Sequence, residues 1–160
     1  MIRVGKERIS NNKIKFQLMF ADNMNFKNES FYLVLCKDAF HHFNNPVKVL
    51  KEMYRVLKKK GYIYSIDLRR NAPEEVVYQT AQLASQLNEN NARLYLESNK
   101  AAYTIEEMKK LLRKAKIKKY KLFVPKINKE FLNDYGLKNT DYLSASNYLK
   151  DKWVLIIKKG

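Results

Sequence analysis

Asp38-Ala39-Phe40-His41-His42-Phe43-Asn44-Asn45-Pro46, continued by Glu52-Met53-Tyr54-Arg55-Val56-Leu57-Lys58 and by Gly61-Tyr62-Ile63-Tyr64-Ser65-Ile66-Asp67, punctuates the middle of the chain more sharply than any other segment. Asn45 followed by Pro46 is a helix start, because the asparagine side chain caps free amides and proline is preset for the first turn. Val47, Leu50, Met53, Tyr54 and Leu57 then recur at helical spacing and give one apolar face. Lys58, Lys59 and Lys60 suit the negative end of a helix dipole, and Gly61 suits a left-handed helix stop. The apolar run at residues 62–66 predicts a buried strand ending at Asp67.

Working outward, residues 31–36 form a nearly continuous apolar run, the pattern of a strand covered on both faces in a parallel sheet. Upstream, residues 15–21 hold Phe16, Leu18, Met19 and Phe20 and predict a short strand, with Asp22 at its end. Residues 1–10 fit the last turns of a helix. Downstream, Asn71 with Glu74 predicts a cap for a helix reaching about Leu87, and Thr104 with Glu107 forms a capping box for a helix through about Ala115. Strands are expected at residues 120–124 and 153–157, while residues 128–150 show no clean period. No repeat or Pro/Gly-rich linker divides the sequence, so a single α/β domain over residues 1–160 is expected.

With 46% hydrophobic residues the 160-residue chain can bury one core. Its longest apolar runs fall far short of the roughly 20 residues needed to span a bilayer. The first ten residues carry no secretory pattern, so a cytoplasmic protein without a membrane partner is expected. Cys36 is the only cysteine and sits in an apolar run, as a buried, inert thiol would. The net charge of +16 raises nucleic acid as a partner. However, the densest basic patch, from Lys109 to Lys121, is interrupted by Leu111, Leu112, Ile117 and Leu122 at core-like spacing, and lysine far outnumbers arginine. Nucleic acid is therefore not the expected partner, and a solvated helix surface is.

The order strand, acidic end, loop, strand, His-His, Pro-started helix with Glu-x-x-Arg-Val-Leu, glycine, strand resembles the type 11 group of class I S-adenosylmethionine-dependent methyltransferases, which includes quinone-biosynthesis C-methyltransferases. The resemblance is dense over residues 16–70. Ala101-Ala102-Tyr103-Thr104 with Glu106 and Glu107, and the strand at Trp153, fit the family's later helix and last strand. It implies a doubly wound, Rossmann-like α/β sheet that binds ligands beyond the carboxyl ends of its strands. S-adenosyl-L-methionine is the implied cofactor. By resemblance, Asp22 accepts a hydrogen bond from the adenine amino group, with Asn23 and Met24 lining the base; the alternative is that Asp22 only caps a turn. Lys37 and Asp38 follow the second strand, where similar enzymes hold the methionine portion by backbone groups. His41 and His42 border the cofactor and substrate cavity. Two adjacent histidines without further ligands at suitable spacing make a poor zinc site. Glu52 and Arg55, three apart on one helix, are assigned structural pairing. Asp67, Arg69 and Arg70 shape the substrate side, and Tyr78, Tyr95 and Tyr103 line a pocket or pack in the core.

Two departures from the family pattern stand out. None of the four glycines lies between an early strand and a helix, where the family's backbone approaches the cofactor. Tyr32 stands where the family usually has aspartate. The expectation is an incomplete sheet lacking its first two strands, with the edge of the strand at residues 31–36 exposed. Such a chain would self-associate, take up a complementing chain, or move its first strand against its second. The expected function is transfer of a methyl group to a small-molecule acceptor, weak or inactive in this chain. The alternatives are half of a split methyltransferase and a basic nucleic-acid-binding module on a defunct enzyme fold.

Overall fold

Asn45 Oδ1 accepts a hydrogen bond from the Lys48 amide at 3.1 Å, and with Pro46 in the first turn this starts helix α1, Pro46–Val56. The computed structural model describes residues 4, 7, 9, 13–126 and 149–160. Among these, strand β1 is Phe31–Lys37 and β2 is Leu57–Leu68. Helices α2 (Glu74–Leu87), α3 (Glu89–Ala101) and α4 (Ile105–Lys114) follow, then β3 (Tyr120–Phe123) and β4 (Lys152–Lys158). The sheet order is β1-β2-β4-β3, with β1 and β2 parallel and β4 antiparallel to both β2 and β3. This is the expected α/β fold, and its sheet is mixed. No helix among the described residues is long and apolar enough to cross a membrane.

Alternation along the strands decides which face is core. Ile63 of β2 and Trp153, Leu155 and Ile157 of β4 point to one face, where Leu50 and Met53 of α1 and Met108 and Leu112 of α4 pack on them. Phe40, fully buried, meets Phe43, Tyr103 and Trp153 edge-on at ring-centroid distances of 5.6, 5.8 and 5.7 Å, an arrangement favoured by the ring quadrupoles. On the other face Leu33 stands opposite Tyr62 and Leu35 opposite Tyr64, and all four are exposed. The expected cover on both faces of β1 is therefore not found among the described residues, and Leu35 is 66% exposed. Helices α2 and α3 are shallowly held, with only Val76, Ala81 and Asn99 buried.

Several sequence expectations need correction. Residues 15–21 form no strand beyond an isolated bridge from Phe20 to Asn23: no described strand lies beside them to take their hydrogen bonds, and Leu18 is 91% exposed. Gly61 does not stop a helix. Helix α1 ends at Val56 because the chain passes at Leu57 directly into pairing with Phe31. Lys58, Lys59 and Lys60 accordingly lie in β2 rather than in a last helical turn. Helix α2 is preceded by Pro73 with no side-chain cap, so Asn71 is not its cap. Helix α3, capped by the Asn88 side chain on the Asn90 amide, escapes sequence reading because its apolar face is weak. The Thr104–Glu107 capping box forms as expected. The helix expected at residues 1–10 and the unassigned stretch 128–150 lie largely outside the described residues.

Gly61 has a packing role instead. A Cβ there would sit 2.8 Å from the Tyr32 carbonyl oxygen and 2.9 Å from that of Lys58, and neither backbone atom can swing aside. Gly61→Ala should cost about 1–3 kcal/mol, the usual penalty for overpacking. Urea unfolding followed by circular dichroism measures it, and an unchanged midpoint would show that β1 yields freely at this point.

Candidate active site

β1 ends at Lys37, and Asp38 takes a left-handed backbone, φ 48°, that turns the chain into a short 3-10 turn at Phe40–His42. The Asp38 amide donates to the Ile66 carbonyl at 3.0 Å, which holds the ends of β1 and β2 together. Burial alone would raise the Asp38 carboxyl. The ammonium groups of Lys152 and Lys37 outweigh it through hydrogen bonds and hold the group below the usual carboxylate range. Lys152 reaches Asp38 Oδ1 at 2.8 Å from a position 114 residues along the chain.

Asp67, buried at the end of β2, gathers three contacts. Its oxygens accept from the His41 amide at 3.0 Å and the Leu68 amide at 2.7 Å, and Oδ1 lies 2.6 Å from His41 Nδ1. A carboxylate only accepts, so Nδ1 is the donor. The His41 Nε2 is buried with no hydrogen-bond partner among the described residues. The His42 ring lies against that of His41 at 3.9 Å between centroids.

Beside this pair, α3 closes over the strand ends. Tyr95 donates to Asp151 Oδ2 at 2.6 Å, and the Asn99 side chain donates to the Arg69 carbonyl at 3.3 Å. Burial pushes both the Asp151 carboxyl and the Tyr95 hydroxyl above their ordinary ranges. Asp151, Lys152 and the partner of Tyr95 were not legible in the sequence. The only hint was a charged pair adjoining the apolar run at Trp153.

The facing wall is the turn at residues 20–24, closed by the Asn23 amide on the Phe20 carbonyl at 3.1 Å. Glu52 and Arg55 clamp it to α1. Glu52 Oε2 accepts from the Met24 amide at 2.9 Å, while Arg55 donates to the Met24 carbonyl at 2.9 Å and to the Phe26 carbonyl at 2.7 Å. The structural pairing expected of these two residues is present, with Arg55 Nε 2.7 Å from Glu52 Oε1. The Arg55 hydrogen bond holds the Glu52 carboxyl below its ordinary range.

A mainly apolar hollow of about 500 Å³ runs along the length of β1 from Phe31 to Lys37, lined also by Ala21 and Met24, by Ala39, and by Val49, Met53 and Val56 of α1. Of the residues singled out by sequence, Met24 and Lys37 line it, and Asp22, Asn23 and Asp38 adjoin it in the chain. The Asp22 carboxylate is 3.9 Å from Lys48 Nζ. His41 lies behind the rim, fixed on Asp67. Arg70 is directed away, to the Ala102 carbonyl and Glu107. Tyr78 is exposed, and Tyr103 packs against Phe40 in the core. Cys36 is the inert thiol expected, pushed up to about 11 by burial.

The Asp38 arrangement makes a pH-dependent difference. A carboxyl lowered in the folded state contributes stability above its ordinary value of 3.8, and that stability is lost as pH falls through the lowered value. In Lys152→Met the Asp38 carboxyl should titrate at higher pH, so the protein should be less stable at neutral pH and the part of its acid destabilisation that comes from Asp38 should shrink. Carboxyl carbon shifts followed by NMR report this directly, and titration of Asp38 at or above 3.8 in the unsubstituted protein would contradict the arrangement.

Comparison with known proteins agrees with this architecture. Residues 1–65 match the family profile described as a methyltransferase domain. A 64-residue stretch is 36% identical to the uncharacterized methyltransferase YcgJ of Bacillus subtilis; it is 40% of this chain and 24% of YcgJ, so the match spans about a quarter of that relative. The crystal structure of YcgJ superposes with a TM-score of 0.54 at 20% identity, covering 99% of this chain and 76% of that one. The plantazolicin methyltransferase BpumL, solved in complex with a triazolic desmethylPZN analog and SAH, gives a TM-score of 0.66 at 17% identity, covering 99% of this chain and 63% of its own. A chain solved in complex with the Haloferax volcanii Trm112 methyltransferase activator gives 0.61 at 14% identity, covering 100% of this chain and 68% of that one. Residues 1–65 are thus similar in sequence to a methyltransferase domain, and the described residues share the fold of solved methyltransferases.

Proposed function

We propose that the hollow along β1, bordered by the turn at residues 20–24, receives S-adenosylmethionine, and that the protein in its complete form methylates a small-molecule acceptor. The observation that carries this is that two separate stretches, Ala21 with Met24 and Lys37 with Ala39, border one hollow that runs along β1 from Phe31 to its carboxyl end. Open α/β sheets bind ligands at such strand ends. The volume and apolar lining suit a cofactor-sized molecule, and polar groups stand at both rims. The SAH bound in BpumL supports the same reading.

In this reading Asp22 and the backbone at Asn23 receive the adenine edge, Met24 packs on its face, and backbone groups at Lys37 and Asp38 take the amino-acid end. The cofactor when bound supplies an electrophilic methyl group. The chain's own contribution is alignment and exclusion of water. The Glu52–Arg55 clamp keeps the adenine wall in place, and the Asp67–His41 pair fixes the turn at the other wall. The acceptor lies on the side of Asp67 closed by α3.

A second reading is favoured by the uncovered edge and face of β1. A further polypeptide segment, from this or another chain, packs on Leu33 and Leu35 and completes the cofactor's grip, so that residues 1–160 alone bind it weakly. Calorimetric titration of the 160-residue chain with S-adenosylmethionine tests both. The expected dissociation constant is weaker than about 1 μM, and Asp22→Ala should weaken it about tenfold further by deleting a charge-assisted hydrogen bond. Tight binding unaffected by Asp22→Ala would overturn the assignment of the adenine edge, and tight binding as such would overturn the second reading.

A further inference from the structure

Seven lysines from three separate parts of the sequence meet at the end of the sheet opposite Asp38 and Asp67. Lys58, Lys59 and Lys60 open β2, Lys116, Lys118 and Lys119 lie between α4 and β3, and Lys158 closes β4. Strand pairing brings them together. Tyr62 stands opposite Lys158, Tyr120 stands opposite Ile157, and the Lys60 amide donates to the Lys159 carbonyl at 2.9 Å. Lys60 and Lys116 both turn the backbone through a left-handed conformation, φ 63°. Among the described residues, none of the seven has a carboxylate within 4.0 Å. Their neighbour Lys159 differs, since it donates to the carbonyls of Tyr54 and Leu57 and lies 3.4 Å from Glu29.

Four of the lysines, Lys116, Lys118, Lys119 and Lys158, border a cleft, while Lys58 lies over the Tyr32 ring. Two hollows of about 380 and 510 Å³ share Lys116, Ile117 and Lys118, with Tyr120 at the first and Tyr54 and Lys158 at the second. Lysines so close repel one another, and the release of counterions from a polyanion would offset that cost. A lipid surface is flat and calls for apolar side chains beside the cations; here Ile117 is buried and the charges flank a concavity. Lysine point charges, with Arg113 alone among them at the first hollow, contact phosphates rather than read bases, and the half-buried ring of Tyr120 offers a surface for stacking, while that of Tyr54 is covered by Lys159 at 5.1 Å. We propose that this pole binds single-stranded nucleic acid through its phosphates, without sequence preference. Lys116, Lys118 and Lys119 belong to the basic patch read from sequence, whereas Lys109, in its helical part, is paired with Glu106 at 2.7 Å.

Fluorescence anisotropy of the 160-residue chain with a labelled oligouridylate of about 16 nucleotides tests the proposal. Log affinity should fall with log salt at a slope of about −2 or steeper, reflecting about −0.7 for each phosphate contacted. The triple substitution Lys116→Glu, Lys118→Glu and Lys119→Glu should weaken binding about tenfold or more. A control triple with the same charge change on exposed lysines away from this pole, Lys15→Glu, Lys100→Glu and Lys150→Glu, should have less than about a threefold effect. Thermal melting checks that each variant is folded, and the corresponding Lys→Gln triple replaces any that is not. Equal weakening by the control triple would overturn the proposal. So would polyglutamate or phosphatidylserine vesicles binding as tightly as the oligouridylate at the same salt. S-adenosylmethionine titration reads the opposite end of the sheet, so failure here is distinguishable from failure of the cofactor site.

Discussion

Asp67 is buried at the carboxyl end of β2, and its two oxygens satisfy a strand amide, a turn amide and an imidazole at once. A buried carboxylate is costly unless its lone pairs are engaged, so the chain after β1 has little choice of path. The 3-10 turn must bring the His41 amide and ring to Asp67, and Phe40 then drops into the space between Phe43, Tyr103 and Trp153. From that one constraint follow the position of β1's end, the direction in which Lys37 and Asp38 leave the sheet, and the height of the wall they form.

A second polar device holds the opposite wall. Residues 20–28 have almost no regular structure, yet Glu52 and Arg55 satisfy the backbone at Met24 and Phe26 from one turn of α1. Helix α1 therefore serves two ends: its apolar stripe packs on the sheet through Leu50 and Met53, and its flank organises a loop that cannot organise itself. The hollow is bordered by two walls fixed by different hydrogen-bonded groups, so each can be perturbed separately.

Sequence reading succeeded where the signal was local. Asn45-Pro46, the Thr104–Glu107 box and the apolar runs of β1, β2 and β4 are decided within a few residues and appear in the structure. It failed where neighbours decide. Residues 15–21 have the composition of a strand, but a strand exists only with something to pair with, and none is beside them among the described residues. Gly61 has the appearance of a helix stop because three lysines precede it, whereas pairing with β1 takes over at Leu57. The site was half legible. Asp22, Met24, Lys37 and Asp38 sit at predicted strand ends, but the link from Asp38 to Lys152 crosses 114 residues and no periodicity announces it.

The shallow seating of α2 and α3 has a consequence for how this architecture diversifies. The pair reaches the strand ends mainly through Tyr95 and Asn99 and buries little else, so it can open locally at small cost while the core stays intact. Substitutions along these helices would then drift with few penalties to folding. Remodelling of this one hairpin would leave the hollow along β1 and the packed sheet untouched.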